Sequence, residues 1–130
     1  MKVLLIEDED FIRDLYKRQL DLAGFETDTA ANGKDGMAAL TQKDYELILL
    51  DIMLPDTNGL EILKFVKADE KLKNILIILL TNLGQDAIIE QAFKLGVEGY
   101  LIKASLTPNQ IVQEIRNIIQ NKKQIPTSGA

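Results

Sequence analysis

The fold of this chain follows from the stretch Leu47-Ile48-Leu49-Leu50-Asp51-Ile52-Met53-Leu54-Pro55. Four apolar residues end abruptly at a carboxylate, and a turn at Asn58-Gly59 then opens an amphipathic helix pattern. An unbroken apolar run of this kind is typical of a strand that is covered on both faces, as in a parallel sheet. The carboxyl ends of such strands are where open α/β sheets bind their ligands. Asp51 is therefore the first candidate for a reactive residue.

The rest of the chain repeats this unit of strand, loop and helix. We predict strands at residues 3–6, 25–30, 46–50, 75–80 and 99–102. The intervening helices are expected to begin at the capping residues Asp10, Asn32, Asn58 and Thr107, and Gly24 and Gly96 are expected to end two of them. Five such units predict an α/β fold, a doubly wound parallel sheet with helices on both faces and right-handed crossovers.

Composition bounds the class of protein. The 130 residues suit a single domain, and the net charge of −5 disfavours direct binding of nucleic acid. The chain has no cysteine and no histidine, which excludes disulfides, thiolate chemistry and histidine-dependent catalysis. The longest apolar run, residues 75–80, is far shorter than the roughly 18 residues of a membrane span. The short N-terminal run does not make a signal peptide, so we expect a cytoplasmic protein with no membrane partner.

Polar side chains follow four of the five predicted strands. Glu7 and Asp8 follow the first, Asp51 the third, Thr81 the fourth and Lys103 the fifth. In a doubly wound sheet these strand ends meet at one edge. Three carboxylates together repel one another unless a cation is present, and an all-oxygen set suits Mg²⁺. With a positive charge and a hydroxyl beside it, a carboxylate that is ionised at neutral pH can accept a phosphoryl group.

The ordered motifs resemble the receiver domain of two-component response regulators. They are Glu7-Asp8, the stretch Asp51-Ile52-Met53-Leu54-Pro55-Asp56-x-Asn58-Gly59, Thr81, and Gly99-Tyr100-Leu101-Ile102-Lys103. The resemblance covers residues 1–121 and implies a flavodoxin-like (βα)5 fold with strand order 2-1-3-4-5. Residues 122–130 remain as a polar tail, the stump of a linker or a cloning remnant.

The resemblance also implies roles for individual residues. Asp51 is similar to the phosphoacceptor, Asp8 to the direct Mg²⁺ ligand, and Glu7 to the acid that acts mostly through water. The backbone carbonyl of Met53 is expected to complete the metal shell, and Lys103 to contact a phosphoryl oxygen. The resemblance also implies that the phosphoryl donor is a phosphohistidine of a histidine kinase or histidine phosphotransfer protein. Because this chain has no histidine, that phosphohistidine must belong to a partner.

The same resemblance implies a switch. Thr81 is similar to the hydroxyl residue that moves towards the phosphoryl group, and Tyr100 to the aromatic that swings between outward and inward rotamers. The face formed by the fourth helix, fifth strand and fifth helix is then expected to bind an effector or a second copy. The chain is expected to catalyse its own phosphorylation. Self-dephosphorylation is expected to be slow, because Met53 and Leu83 are apolar where the family orients the hydrolytic water.

Two departures from the family pattern keep other functions open. Ala104 follows the lysine where the family commonly has proline, and Asn82 stands where a small residue is usual. They favour the alternative of a receiver-like interaction module that works without phosphorylation. An FMN carrier on the same fold ranks last, because four acids follow the first strand where a phosphate-binding loop would be needed.

Overall fold

Five strands alternate with five helices in a computed structural model, which describes residues 1–82 and 84–128, with side chains up to residue 121. The strands are β1 Lys2–Ile6, β2 Glu26–Ala30, β3 Leu47–Asp51, β4 Leu76–Thr81 and β5 Gly99–Ile102. The helices are α1 Asp10–Leu22, α2 Gly33–Gln42, α3 Gly59–Ala68, α4 Asp86–Leu95 and α5 Pro108–Ser128. The predicted strands are confirmed, and their ends differ from the prediction by at most one residue.

The sheet is parallel throughout, and its strand order is β2-β1-β3-β4-β5. This confirms the doubly wound, flavodoxin-like fold and the order 2-1-3-4-5. In the register of β1 with β3, Ile6 pairs with Leu50. The residues that follow them, Glu7 and Asp51, therefore leave the sheet side by side at its carboxyl edge.

Helices cover both faces of the sheet, which explains the lack of alternation in the strand sequences. All five residues of β3 are buried. Ile48 and Leu50 pack towards the cluster that includes α3, whereas Leu47 and Leu49 pack towards the cluster that includes α1 and α5. Burial on two faces requires apolar side chains at successive positions, so these strands read as continuous apolar runs.

Side chains cap three helices as predicted. The oxygens of Asn32 and Asn58 each accept a hydrogen bond from the amide three residues further on, at 2.8 and 3.2 Å. At the start of α5, the amide of Thr107 donates to the Gln110 side chain at 2.8 Å, and the amide of Gln110 donates to the Thr107 hydroxyl at 3.2 Å. This reciprocal pair is a capping box, and it fixes where the helix begins.

The other predicted helix ends agree with the structure only in part. Gly24 and Gly96 do adopt the left-handed conformation, with φ of 99° and 101°. The prediction of Asp10 as the cap of α1 is wrong, because the helix already includes Asp10 and its carboxylate pairs with Arg13 at 2.5 Å. The backbone of α5 runs to Ser128. The side chains of residues 122–130 lie outside the described part, so a domain boundary after residue 121 stays a prediction.

No helix among the described residues is long and apolar enough to cross a membrane.

After β5, residues Lys103–Ser105 form a single 3₁₀ turn. The described residues contain no cis peptide bond, so the bond between Lys103 and Ala104 is trans.

Candidate functional site

Three carboxylates converge at the carboxyl edge of the sheet. Glu7 and Asp8 directly follow β1, and Asp51 is the last residue of β3. Each of them offers an oxygen atom, and these oxygens all lie within 4.8 Å of one another. Glu7 is fully buried and Asp51 is 3% exposed, whereas Asp8 lies nearer the solvent. The structure therefore brings together the three acids that the sequence placed at one edge.

Lys103 joins two of these acids. Its Nζ donates to Glu7 Oε1 at 2.9 Å and to Asp51 Oδ2 at 3.1 Å. The lysine side chain is 8% exposed, so these contacts are largely withdrawn from water. The 3₁₀ turn that begins at Lys103 delivers its side chain to the acids although Ala104, rather than proline, comes next. The first departure from the family pattern thus leaves the lysine contact intact.

The loop after β3 holds the second oxygen of Asp51. Asp51 Oδ1 accepts a hydrogen bond from the Met53 amide at 3.0 Å. Met53 forms an isolated antiparallel bridge with Asn58, and the Gly59 amide donates to the Ile52 carbonyl at 2.6 Å. A Cβ atom at Gly59 would lie 3.0 Å from the Asp51 carbonyl oxygen, which explains why glycine is needed there. The loop is closed, and the backbone of Met53 lies next to the acids.

Burial changes the ionisation of the site. Removal from water and the nearby charge of Glu7 raise the pKa of Asp51 to about 7, although Lys103 and the Met53 amide oppose the shift. Burial alone would lower the pKa of Lys103, but its hydrogen bond with Glu7 and the negative charges of Asp51 and Glu7 outweigh this effect and raise it. The sequence predicts an ordinary ionised carboxylate at Asp51, whereas in the fold burial and Glu7 raise its pKa and favour the protonated form more than in an isolated aspartate.

Thr81 lies at the same edge, as the last residue of β4. It is 1% exposed, and its hydroxyl donates to the Asn82 carbonyl at 3.1 Å. Asn82 itself is exposed. Leu83, which was expected to influence the hydrolytic water, lies outside the described residues. The structure thus places Thr81 beside the site, with its hydroxyl proton engaged by backbone.

Tyr100 lies on β5 with its ring turned outwards. The side chain is 41% exposed, and it packs edge-to-face against Phe93 of α4, with ring centroids 6.0 Å apart and an interplanar angle of 85°. Sequence reasoning missed Phe93 as a partner. The sequence offered no clear signal for this contact, because single large apolar residues are common on protein surfaces.

The acid cluster fits a hard divalent cation. Its donors are all carboxylate oxygens, two of the acids are buried, and Lys103 supplies one positive charge against three negative ones. Such an oxygen-rich, under-neutralised set is what Mg²⁺ or Mn²⁺ selects. The Met53 carbonyl stands on the adjacent loop as a further oxygen donor.

Comparisons with known proteins identify the family and agree with this fold. A family model described as the response regulator receiver domain matches residues 3–116. Transcriptional regulatory protein ResD of Bacillus subtilis is 33% identical over 123 residues, which cover 95% of this chain and 50% of ResD. The chain therefore spans about half the length of the curated relatives it matches.

Solved structures show the same architecture. The chemotaxis response regulator CheY4 of Vibrio cholerae superposes with a TM-score of 0.83 at 26% identity, covering 90% of this chain and 97% of CheY4. The Mn²⁺-bound form of response regulator Rcp1 superposes with a TM-score of 0.78 at 29% identity, covering 88% and 90% of the two chains. With a family model matched over most of its length, this chain belongs to the receiver domains of two-component response regulators.

Proposed function

We propose that this receiver domain is a Mg²⁺-dependent phosphoacceptor and that Asp51 carries the phosphoryl group. The observation that carries the proposal is the contact of Lys103 Nζ with Asp51 Oδ2 at 3.1 Å, within a cluster of three acids. A buried nucleophile, a cation site and a fixed positive charge are the parts that phosphoryl transfer to a carboxylate needs.

Glu7, Asp8, Asp51 and the Met53 carbonyl are the groups that would hold the cation. When bound, Mg²⁺ neutralises the carboxylates and the charge that develops on the phosphoryl oxygens. The Mn²⁺-bound form of the structurally similar Rcp1 supports a divalent cation in this fold. A nearby cation also favours the ionised form of Asp51, which is the form that can react.

The chemistry of Asp51 is a direct displacement at phosphorus. A carboxylate oxygen attacks the phosphorus of a partner's phosphohistidine, the new O–P bond forms as the N–P bond breaks, and the imidazole leaves with the electron pair. Lys103 can then turn from the Asp51 oxygen to a phosphoryl oxygen, since an ammonium is a compact charge with three donors. The proposed donor is a histidine kinase or histidine phosphotransfer protein, and its phosphohistidine must lie on that partner because this chain contains no histidine.

The phosphoryl group would also drive the output. It adds about two negative charges and three acceptor oxygens, which can draw the Thr81 hydroxyl away from the Asn82 carbonyl. Movement of Thr81 would make room for Tyr100 to turn inwards and so repack the face of α4, β5 and α5. That face is our proposed surface for a downstream effector or a second copy, and this role implies a cytoplasmic protein.

Phosphorylation by a small donor tests the proposal. We expect acetyl phosphate with Mg²⁺ to add one phosphoryl group to the wild-type chain, as measured by intact mass, and Asp51→Asn to add none. Asp44→Asn removes an exposed carboxylate at the opposite end of β3 and serves as the matched control. Modification of Asp51→Asn at the wild-type level would refute Asp51 as the acceptor, and modification without Mg²⁺ would refute the cation requirement.

The alternative of a phosphorylation-independent module is separated by the same chemistry. The phosphoacceptor should bind beryllofluoride in the presence of Mg²⁺ and shift the amide resonances of β4 and β5, whereas the alternative predicts no response. We further expect the phosphorylated form to persist for minutes or longer, because the apolar side chain of Met53 cannot orient a hydrolytic water. A lifetime of seconds with Mg²⁺ and no phosphatase would contradict this expectation.

A further inference from the structure

The β3–α3 loop makes a second contact, with α2, outside the cluster of three acids and Lys103. Asp56, five residues after Asp51, is exposed, yet both of its carboxylate oxygens accept hydrogen bonds. Oδ1 accepts from the Gly33 amide at 2.8 Å, and Oδ2 accepts from the Lys34 amide at 2.9 Å. These bonds, first that from Gly33 and then that from Lys34, lower the pKa of Asp56. The carboxylate therefore bridges two elements that are more than twenty residues apart in sequence.

The start of α2 is capped from two sources. The first amides of a helix have no partner within the helix and must find one elsewhere. Asn32, which is local to the helix, satisfies the amide of Asp35 at 2.8 Å. Asp56, which is not local, satisfies the two amides before it. Asn32 therefore caps the helix from its own end, whereas Asp56 caps it from the loop next to the acids and so links the two elements.

The loop meets α2 in close contact. A Cβ atom at Gly33 would collide with the Thr57 side chain and would lie 3.3 Å from Asp56 Oδ1. Within the loop, the Leu54 amide donates to the Thr57 carbonyl at 3.2 Å. Glycine at position 33 thus allows the helix start to abut the loop, and the Asp56 clamp fastens it there.

We propose that Asp56 is a positioning residue for the cation site, since its carboxylate ties the loop that carries the Met53 carbonyl to the first turn of α2. The inference rests on the proposed function, which makes that carbonyl a ligand of Mg²⁺. Mg²⁺ demands near-ideal octahedral geometry and tolerates little displacement of its ligands. Removing a group that does not itself bind a metal but orients one of its ligands commonly lowers the affinity for the metal.

The tip of this loop has little packing of its own. Met53 is 52% exposed, and Asp56 and Asn58 are exposed as well, whereas Leu54 is partly buried against the core. Hydrogen bonds therefore contribute most at the tip: the Met53 amide donates to Asp51, Met53 bridges to Asn58, and Asp56 accepts from the first turn of α2. Loss of the Asp56 bonds leaves the other bonds in place but removes the hydrogen bonds that tie the loop to α2.

Mg²⁺ titrations of matched variants test the inference. Asp56→Asn replaces one acceptor oxygen with an amino group that cannot accept from an amide, so the double contact is lost. We expect it to raise the dissociation constant for Mg²⁺ about tenfold, as measured by calorimetry or amide-resonance titration. The Gly33 and Lys34 amide resonances should shift in the same variant, and Asp56→Glu, which keeps the carboxylate, should recover part of the affinity.

Asn32→Ala is the matched control, because it removes a cap from the same helix end without touching the loop. It should lower the thermal stability of the cation-free protein and leave the dissociation constant for Mg²⁺ unchanged. Wild-type affinity in Asp56→Asn would overturn the inference alone, as would an equal loss in Asn32→Ala, which would make both residues merely structural. A wild-type protein that binds no Mg²⁺ would overturn the cation site of the proposed function together with this inference.

Discussion

At the scale of single residues, the site is an arrangement of buried charges that compensate one another incompletely. Glu7 and Asp51 share the one ammonium of Lys103, and all three side chains are less than a tenth exposed. Buried charges cost free energy unless they are paired and solvated by the protein. The cost appears here as the raised pKa of Asp51. The acid that is proposed to react is therefore also one that destabilises the cation-free fold at neutral pH.

The pH dependence of stability follows from that pKa. Burial and the charge of Glu7 raise the pKa of Asp51 from its ordinary value of 3.8 to about 7 in the fold. A raised acid pKa contributes stability that is fully present below pH 4 and is lost as the pH rises through 7. In Mg²⁺-free buffer we expect Asp51→Asn to be more stable than the wild type by about 1–3 kcal/mol at pH 8, and by less at pH 5. Urea denaturation at the two pH values measures the difference.

The control for this prediction is Asp44→Asn, in which the exposed carboxylate has no buried charge to relieve. Its effect on the free energy of unfolding should be small and similar at both pH values. A gain in Asp51→Asn that is as large at pH 5 as at pH 8 would show that the stabilisation comes from packing or hydrogen bonding and not from the charge of Asp51.

At the scale of secondary-structure elements, α4 has the fewest fully buried residues of the first four helices. Its N-cap residue makes no side-chain capping bond, and Ala92 is its one fully buried residue. In α3, by comparison, five residues are buried. An element with few buried contacts can be displaced at low cost. This suits α4 for the proposed output face, where it must repack when Tyr100 changes rotamer.

The aromatic pair between α4 and β5 should bias that rotamer. An edge-to-face contact contributes about 0.5–1 kcal/mol, which would favour the outward state of Tyr100. We expect Phe93→Ala to raise the inward population of Tyr100 by about two- to fivefold. Ring resonances of labelled tyrosine measure it, since the chain has only three tyrosines.

Phe65→Ala provides the comparison for the aromatic pair. Phe65 is 36% exposed on α3, so the change removes a phenylalanine of similar exposure from a neighbouring helix. It should leave the Tyr100 resonances unchanged. Equal spectra of Tyr100 in Phe93→Ala and the wild type would show that the pair does not hold the outward state.

The elements themselves were predictable from the sequence because their signals are local. The apolar run of residues 47–50 specifies a doubly covered strand, and the capping residues Asn32, Asn58 and Thr107 mark helix starts that the structure confirms. The prediction of Asp10 as a cap failed because an acid in the first turn of a helix looks like a cap in the sequence. In the structure its carboxylate forms a salt bridge with Arg13 of the same helix instead. The clamp of Asp56 on α2 could not be predicted, because it depends on how two distant segments meet.

At the scale of the whole molecule, one parallel sheet forms the buried core along its strands and the site at their carboxyl ends. Its strand ends supply Glu7, Asp51, Thr81 and Lys103, so convergence of the site follows once the strands are parallel and in order. That much was predictable from residues alone. The pKa of Asp51 was not, because it depends on how deeply the folded chain buries the acid and on which oxygen Lys103 reaches.

Cation binding should therefore be linked to the stability of the whole fold. Free Mg²⁺ at ten times its dissociation constant should raise the free energy of unfolding by about 1.4 kcal/mol. Because Mg²⁺ competes with the proton on Asp51, the gain at a fixed Mg²⁺ concentration should grow as the pH rises from 6 to 8. Thermal denaturation with and without Mg²⁺, at matched ionic strength, measures the gain. Asp51→Asn and Asp8→Asn should lose most of it, and an equal gain in all three proteins would place the cation away from this edge of the sheet.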